Sequence, residues 1–93
     1  MTRDLAESMA IQGLTFLADD SDRLQRFLAT TGVGPQQIRS AAREPEFLAG
    51  ILNYLAADEE LLVTFAAYAG IDPFNIRRAG NVLMPDNWER DVP

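Results

Sequence analysis

The sequence predicts an all-α protein, a compact bundle of six short helices built as two pseudo-repeats of three. Three observations predict it. Apolar residues recur at helical spacing along most of the chain, and no segment alternates with period two over a useful length. Turn residues punctuate the chain at short intervals, at Asp19-Asp20-Ser21-Asp22, Gly32-Val33-Gly34-Pro35, Pro45, Asp58 and Gly70-Ile71-Asp72-Pro73. The chain also matches itself at an offset of 38 residues. Leu14, Leu17, Ala18, Asp20, Leu24, Phe27, Ala29, Gly32, Pro35, Ile38, Arg39 and Ala41 all meet identical residues, 12 identities over the 28 positions 14–41 set on 52–79 without a gap. Such a period marks a repeated supersecondary unit, and the in-register Asp, Gly and Pro separate it from the self-matching of any Ala- and Leu-rich helix.

The first helix is expected from about Arg3 to Ala18, with Thr2 as N-cap and Asp4 favourable to the helix dipole. Leu5, Met9, Ala10, Leu14, Phe16 and Leu17 make its apolar face. Gly13 lies inside it at a cost of about 1 kcal/mol relative to Ala, which close packing against another helix would explain. Asp20 or Ser21 caps the second helix, Leu24, Phe27 and Leu28 face inward, and Gly32 ends it in a left-handed conformation. Pro35 opens the third helix at a position where its missing N–H costs nothing. Ile38, Ala41 and Ala42 form the apolar side there, and Arg39 and Arg43 the polar side. Pro45 opens the fourth helix, with Phe47, Leu48, Ile51, Leu52 and Leu55 deeply packed. The fifth begins at Asp58 and stops at Gly70; the sixth is capped by Asp72, opened by Pro73 and runs to about Leu83. The expected organisation is a single domain over residues 1–83, with units of about 3–42 and 45–83, and a tail over 84–93 without periodicity. Each unit is too small to bury its own apolar face, so the two pack together.

Ninety-three residues with 47% hydrophobic content make one core and exclude a disordered chain. A compact fold of that length has a radius of gyration of about 12 Å. The formal net charge of −6 argues against broad binding to nucleic acid or an anionic membrane. Cys, His and Lys are absent, and all eight positive charges are arginines. No disulfide or thiolate metal site can form. The N-terminus lacks a signal pattern, and no apolar run approaches the roughly 20 residues needed to span a bilayer. The expected setting is the cytoplasm, without membrane association.

The missing residues close most catalytic routes. Thiol–imidazole, serine–histidine and Schiff-base chemistry all need Cys, His or Lys. Paired carboxylates remain, at Asp19, Asp20 and Asp22 and at Asp58, Glu59 and Glu60. Both clusters sit at helix N-termini, where capping explains them. Zinc would lack nitrogen and sulfur ligands, and the Asp20-Ser21-Asp22-Arg23 run lacks the mid-loop Gly and terminal Glu of a calcium loop. No Walker or dinucleotide motif follows the glycines. The reading is therefore no enzyme, no catalytic residue, no metal and no cofactor.

Two binding readings survive. Gly32-Val33-Gly34-Pro35 resembles the glycine–apolar–glycine turn that offers backbone amides to DNA phosphate, with Arg39 and Arg43 following. Against it, the second copy has Asp72 where Gly34 stands, and the net charge is wrong. The repeat-equivalent Arg39 and Arg77 read first as structural, in ion pairs with the caps Asp20 and Asp58 or covering apolar surface with their long stems; the functional alternative is carboxylate or phosphate recognition. The other reading rests on a difference between the copies. Arg23, Gln25, Thr30 and Gln36 of the first become Leu61, Val63, Tyr68 and Phe74 in the second. Leu61, Phe65 and Tyr68 form one stripe on a helix, and something must cover it. Either the tail folds back through Met84, Trp88 and Val92, or a partner protein or second copy docks there. The candidate partner surface is Leu61, Val63, Tyr68, Phe74 and Trp88.

The run Phe16 to Asp20 with Arg23 to Gly32, together with Phe47-Leu48, Asp58-Glu59-Glu60-Leu61-Leu62, Phe65-Ala66 and Asp72-Pro73, resembles the bacterial domain of unknown function 3572. The resemblance covers nearly all the chain except the last ten residues. It implies a small helical protein, mostly found in alphaproteobacteria, and carries no activity or site residue over. The function expected from the residues is a small non-enzymatic protein–protein interaction or adaptor domain; the alternative is a nucleic-acid-binding module using the Gly32–Arg43 hairpin.

Overall fold

The computed structural model describes residues 1–83. Six helices run α1 Arg3–Ala18, α2 Ser21–Thr31, α3 Ile38–Ala41, α4 Pro45–Ala57, α5 Glu59–Ala69 and α6 Pro73–Val82. A 3-10 turn, Pro35–Gln37, leads into α3. The described residues contain no strand. The radius of gyration is 12.6 Å.

Capping chemistry fixes most boundaries. The Leu5 amide donates to Thr2 Oγ1 at 3.2 Å, and the Asp22 and Arg23 amides donate to Asp20 Oδ1 at 3.0 and 3.3 Å. Asp58 Oδ1 accepts from Leu61 and Asp72 Oδ1 from Phe74. Each bond satisfies an amide that the helix itself leaves unpaired. Asp58 is thus the cap of α5 rather than its first helical residue. Gly32 (φ 75°) and Gly70 (φ 66°) end α2 and α5 in the left-handed region, where a Cβ would be strained.

The third helix is much shorter than expected. Pro35 starts a 3-10 turn, and only four residues of α-helix follow before Pro45 pushes Glu44 into an extended conformation (φ −95°, ψ 126°). Its Ala41 and Ala42 offer too little apolar area to extend it by packing. No residue of α3 or the turn is buried. The punctuation recurs at an offset of 38, but the packing does not. The counterpart of α3 is α6, which buries Ile76, Ala79 and Gly80.

The centre of the bundle is α4, packed against α6 on one side and α1 on the other, with α1 and α6 also in contact. Ile51, Leu52 and Leu55 of α4 are fully buried, with Leu17 of α1, Phe65 of α5 and Ile76 of α6. Each such side chain contributes about 1.5–3 kcal/mol of burial. Two glycines set the spacing. A Cβ on Gly13 would lie 2.9 Å from Leu55 Cδ1 and 3.1 Å from Ile51 Cγ2. A Cβ on Gly80 would lie 2.8 Å from Asn53 Oδ1 and 3.6 Å from Leu52 Cβ. Gly13 is therefore a packing glycine, as its place in the sequence suggested. The buried face of α1 is Ala6, Met9, Ala10, Gly13, Phe16 and Leu17. Leu5, expected within it, is 49% exposed. The small Ala6 beside it is fully buried instead.

α2 leans on α1 and inserts one fully buried side chain, with Leu24 and Leu28 half-buried against the core beside it. Phe27 is fully buried, with its ring edge-on to Tyr54 (centroids 5.1 Å) and Phe47 (5.8 Å) of α4. Arg23 adds a second tie, its guanidinium carbon 4.7 Å from the centroid of the Phe16 ring.

The glycine seam sets a graded expectation. Gly13→Ala stays within about 1 kcal/mol of the parent in urea unfolding, because the gain in helix propensity offsets the push on the Leu55 methyl. Gly13→Val, which adds branches with no room to turn, loses about 3 kcal/mol. Equal stabilities for the two variants, followed by far-UV circular dichroism, would contradict the close approach of α1 to α4.

Candidate functional site

The residues expected to form one partner surface fall in three places. Leu61 is half-buried and packs on the core, and Phe65, between it and Tyr68 in the stripe, is fully buried. The stripe is therefore mostly an internal face of α5. Leu61 also helps line a hollow of about 240 Å³, with Arg23 and Arg26 of α2, Tyr54 of α4, and Asp58, Glu60 and Thr64.

Tyr68, 52% exposed, belongs to the seam between α5 and α1. Its ring is tilted on Phe16 at 5.1 Å and stacked near Phe65 at 6.4 Å. Its hydroxyl donates to Asp19 Oδ2 at 3.2 Å, a contact spanning 49 residues of sequence. Partial burial of the ring, then the Asp19 charge and this hydrogen bond, raise the phenol above its ordinary value.

Val63 and Phe74 make the third place. They are 54% and 67% exposed, and Phe74 is the most exposed large apolar residue described. The structure brings them together across the α5–α6 turn. Both line a hollow of about 320 Å³ with Glu59, Leu62, Pro73 and Arg77. Sequence spacing alone did not show this pairing, because the two residues lie on different helices. Trp88, with Met84 and Val92, lies outside the described residues.

The hairpin proposed for nucleic acid has little to offer phosphate through its backbone. The Gly34 amide donates to Gln37 Oε1 at 3.1 Å, and the Gly32 amide donates to the Leu28 carbonyl at 2.8 Å. Arg39 and Arg43 are exposed, and Arg39 borders a shallow hollow with Pro35, Gln36 and Ile38. The ion pairs expected between Arg39 and Asp20 and between Arg77 and Asp58 do not form. Asp20 Oδ2 instead meets Arg23 Nε at 3.8 Å within the same turn. At that distance and exposure it contributes at most about 1 kcal/mol.

The acidic clusters cap helices and, at Asp19, tie α1 to α5. Asp20 and Asp58 accept from backbone amides, and Asp19 accepts from Tyr68. Among the described residues no three Asp or Glu side chains gather in a way that could hold a metal ion. No helix among them is long and apolar enough to cross a membrane.

The fold and this surface define a small all-helical bundle that presents apolar side chains at the α5–α6 seam. The chain belongs to the family described as a protein of unknown function (DUF3572), whose model matches residues 3–86. No curated protein and no solved structure matches it.

The Tyr68–Asp19 bond has a pH signature. A phenol whose folded pKa is raised holds its proton more tightly in the folded state. Its contribution is present below the unfolded value near pH 10 and fades as pH rises through the higher folded value. In a Tyr54→Phe background, ultraviolet titration should show Tyr68 ionising above the free-phenol midpoint. Asp19→Asn should move that midpoint down. An unmoved midpoint would mean the bond is absent in solution.

Proposed function

We propose that this chain is a small non-enzymatic protein–protein interaction domain whose working face is the α5–α6 seam. The observation that carries the reading is the exposure of Phe74 beside Val63 in one hollow. A phenyl ring left two-thirds in water forgoes much of the burial that a core position would give it. Glu59 and Arg77 line the same hollow, so charged and apolar side chains stand together there, as they do at docking surfaces.

Tyr68 plays a different part in this reading. Its ring and hydroxyl already hold α5 to α1, so it stabilises the face from behind.

The test is co-purification of a tagged chain from its native cells, with and without nuclease, beside the Phe74→Gln variant. A specific protein that survives nuclease and is lost at least tenfold with Phe74→Gln, at unchanged helix content, is the expected result. Retention of the same protein by Phe74→Gln would move the contact off this face. A partner lost only on nuclease treatment would return the Arg39 and Arg43 side to consideration.

A further inference from the structure

One strip of α6 is uncovered along its whole length. Phe74, Arg78 and Asn81 follow one another on it at helical spacing, with Arg77 and Val82 beside them, and all five are exposed. α6 contains no acidic residue, and among the described residues neither arginine is in a salt bridge. The strip is therefore basic, with an aromatic ring near its start. Leu83 directly follows the last residue of α6, so residues 84–93 set out from the other end of the strip.

We propose that segment 84–93 of this chain occupies the strip when no partner is bound, with the Trp88 ring on Phe74. Its role as a strap that a partner must displace rests on the reading above. The reach is sufficient. Leu83 lies nine positions after Phe74, about 14 Å along the helix at 1.5 Å per residue. Trp88 lies five positions after Leu83, up to about 17 Å of extended chain. Pro85 turns Met84 away from helical backbone, which suits a change of direction just past α6.

Charge and tethering select this occupant. The segment carries Asp86, Glu89 and Asp91 against Arg90 alone, and the strip offers Arg77 and Arg78. Glu59 of α5 lines the hollow beside Phe74, one carboxylate against those two guanidiniums. A second copy would bring a net charge of −6 and no tether. A linked segment is present at an effective concentration on the order of millimolar, so a contact too weak to hold a separate peptide still holds this one.

Trp88 is the only tryptophan, and its fluorescence reads the contact in the full chain. Excitation at the red edge leaves Tyr54 and Tyr68 dark. In the wild type the emission should be blue-shifted from its position in urea, and acrylamide should quench it at least twofold less. Neither value should change with protein concentration. Phe74→Gln should return both values to those of the unfolded chain, and Arg77→Gln with Arg78→Gln should move them partway. All three positions are exposed, and circular dichroism checks that each variant keeps its helices. Trp88→Ala should raise recovery of the native partner at least twofold.

A Trp88 as accessible in the native chain as in urea overturns the proposal. So does a protected Trp88 that ignores Phe74→Gln, or one protected only as concentration rises, which would make the occupant a second copy. An accessible Trp88 together with a native partner lost on Phe74→Gln removes the strap and leaves the interaction reading standing. A protected Trp88 that Phe74→Gln releases, with no partner recovered even by Trp88→Ala, keeps the covered strip and removes the interaction reading.

Discussion

The arrangement depends on how closely α4 can be approached from two sides. Gly13 of α1 and Gly80 of α6 each present bare backbone to it, and a methyl at either position would overlap an α4 side-chain atom. With both neighbours drawn in, Ile51, Leu52 and Leu55 are fully enclosed, and α1 and α6 also touch each other. Burial falls away from that centre. α5 closes one side through Leu62, Phe65 and Ala66, α2 inserts only Phe27, and α3 buries nothing. A small chain has little surface to spare, and here the tightest packing is concentrated in three helices.

The candidate face follows from the same geometry. α5 directs Phe65 inward and so turns Val63 outward, while α6 directs Ile76 inward and leaves Phe74 outside. The turn from Gly70 to Asp72 then sets the two outward residues beside one hollow. The Tyr68 hydroxyl on Asp19 ties the end of α5 to the end of α1, and the Arg23 guanidinium over Phe16 ties α2 to α1. Neither Val63 nor Phe74 takes part in these contacts or in the Phe27 contacts between α2 and α4.

Local chemistry was legible in the sequence, and relative placement was not. Asp20, Asp72, Gly32 and Gly70 mark helix ends because capping and left-handed backbone are properties of a few consecutive residues. The length of α3 was misjudged because proline can open a 3-10 turn as readily as an α-helix, and two alanines cannot hold a longer helix to the core. The Leu61, Phe65, Tyr68 stripe was visible as a stripe. Which way it faced depends on where α1 and α4 lie, and that is tertiary information. Leu5 was misplaced for the same reason. Gly80 went unnoticed because a glycine near a helix end looks like a terminator, whereas its real part is in the seam with Leu52 and Asn53. Of the proposed face, Val63 and Phe74 were each singled out, but their meeting across two helices needed the fold.

The shallow attachment of α2, with one fully buried side chain, has a consequence for how the molecule opens. The segment from Ser21 to Ala41 contributes Phe27 alone to the fully enclosed core. Opening the arm means withdrawing that ring from Phe47 and Tyr54, lifting the half-buried Leu24 and Leu28 off the core and breaking the Arg23 contact with Phe16, while α1, α4, α5 and α6 keep their mutual contacts. The free energy of opening therefore has two levels, a low one for the arm and a higher one for the rest. Amide hydrogens of α2 would exchange through the first, and those of α4 only through the second. The shallow burial of one helix divides a chain of this size into a hinged flap and a persistent frame.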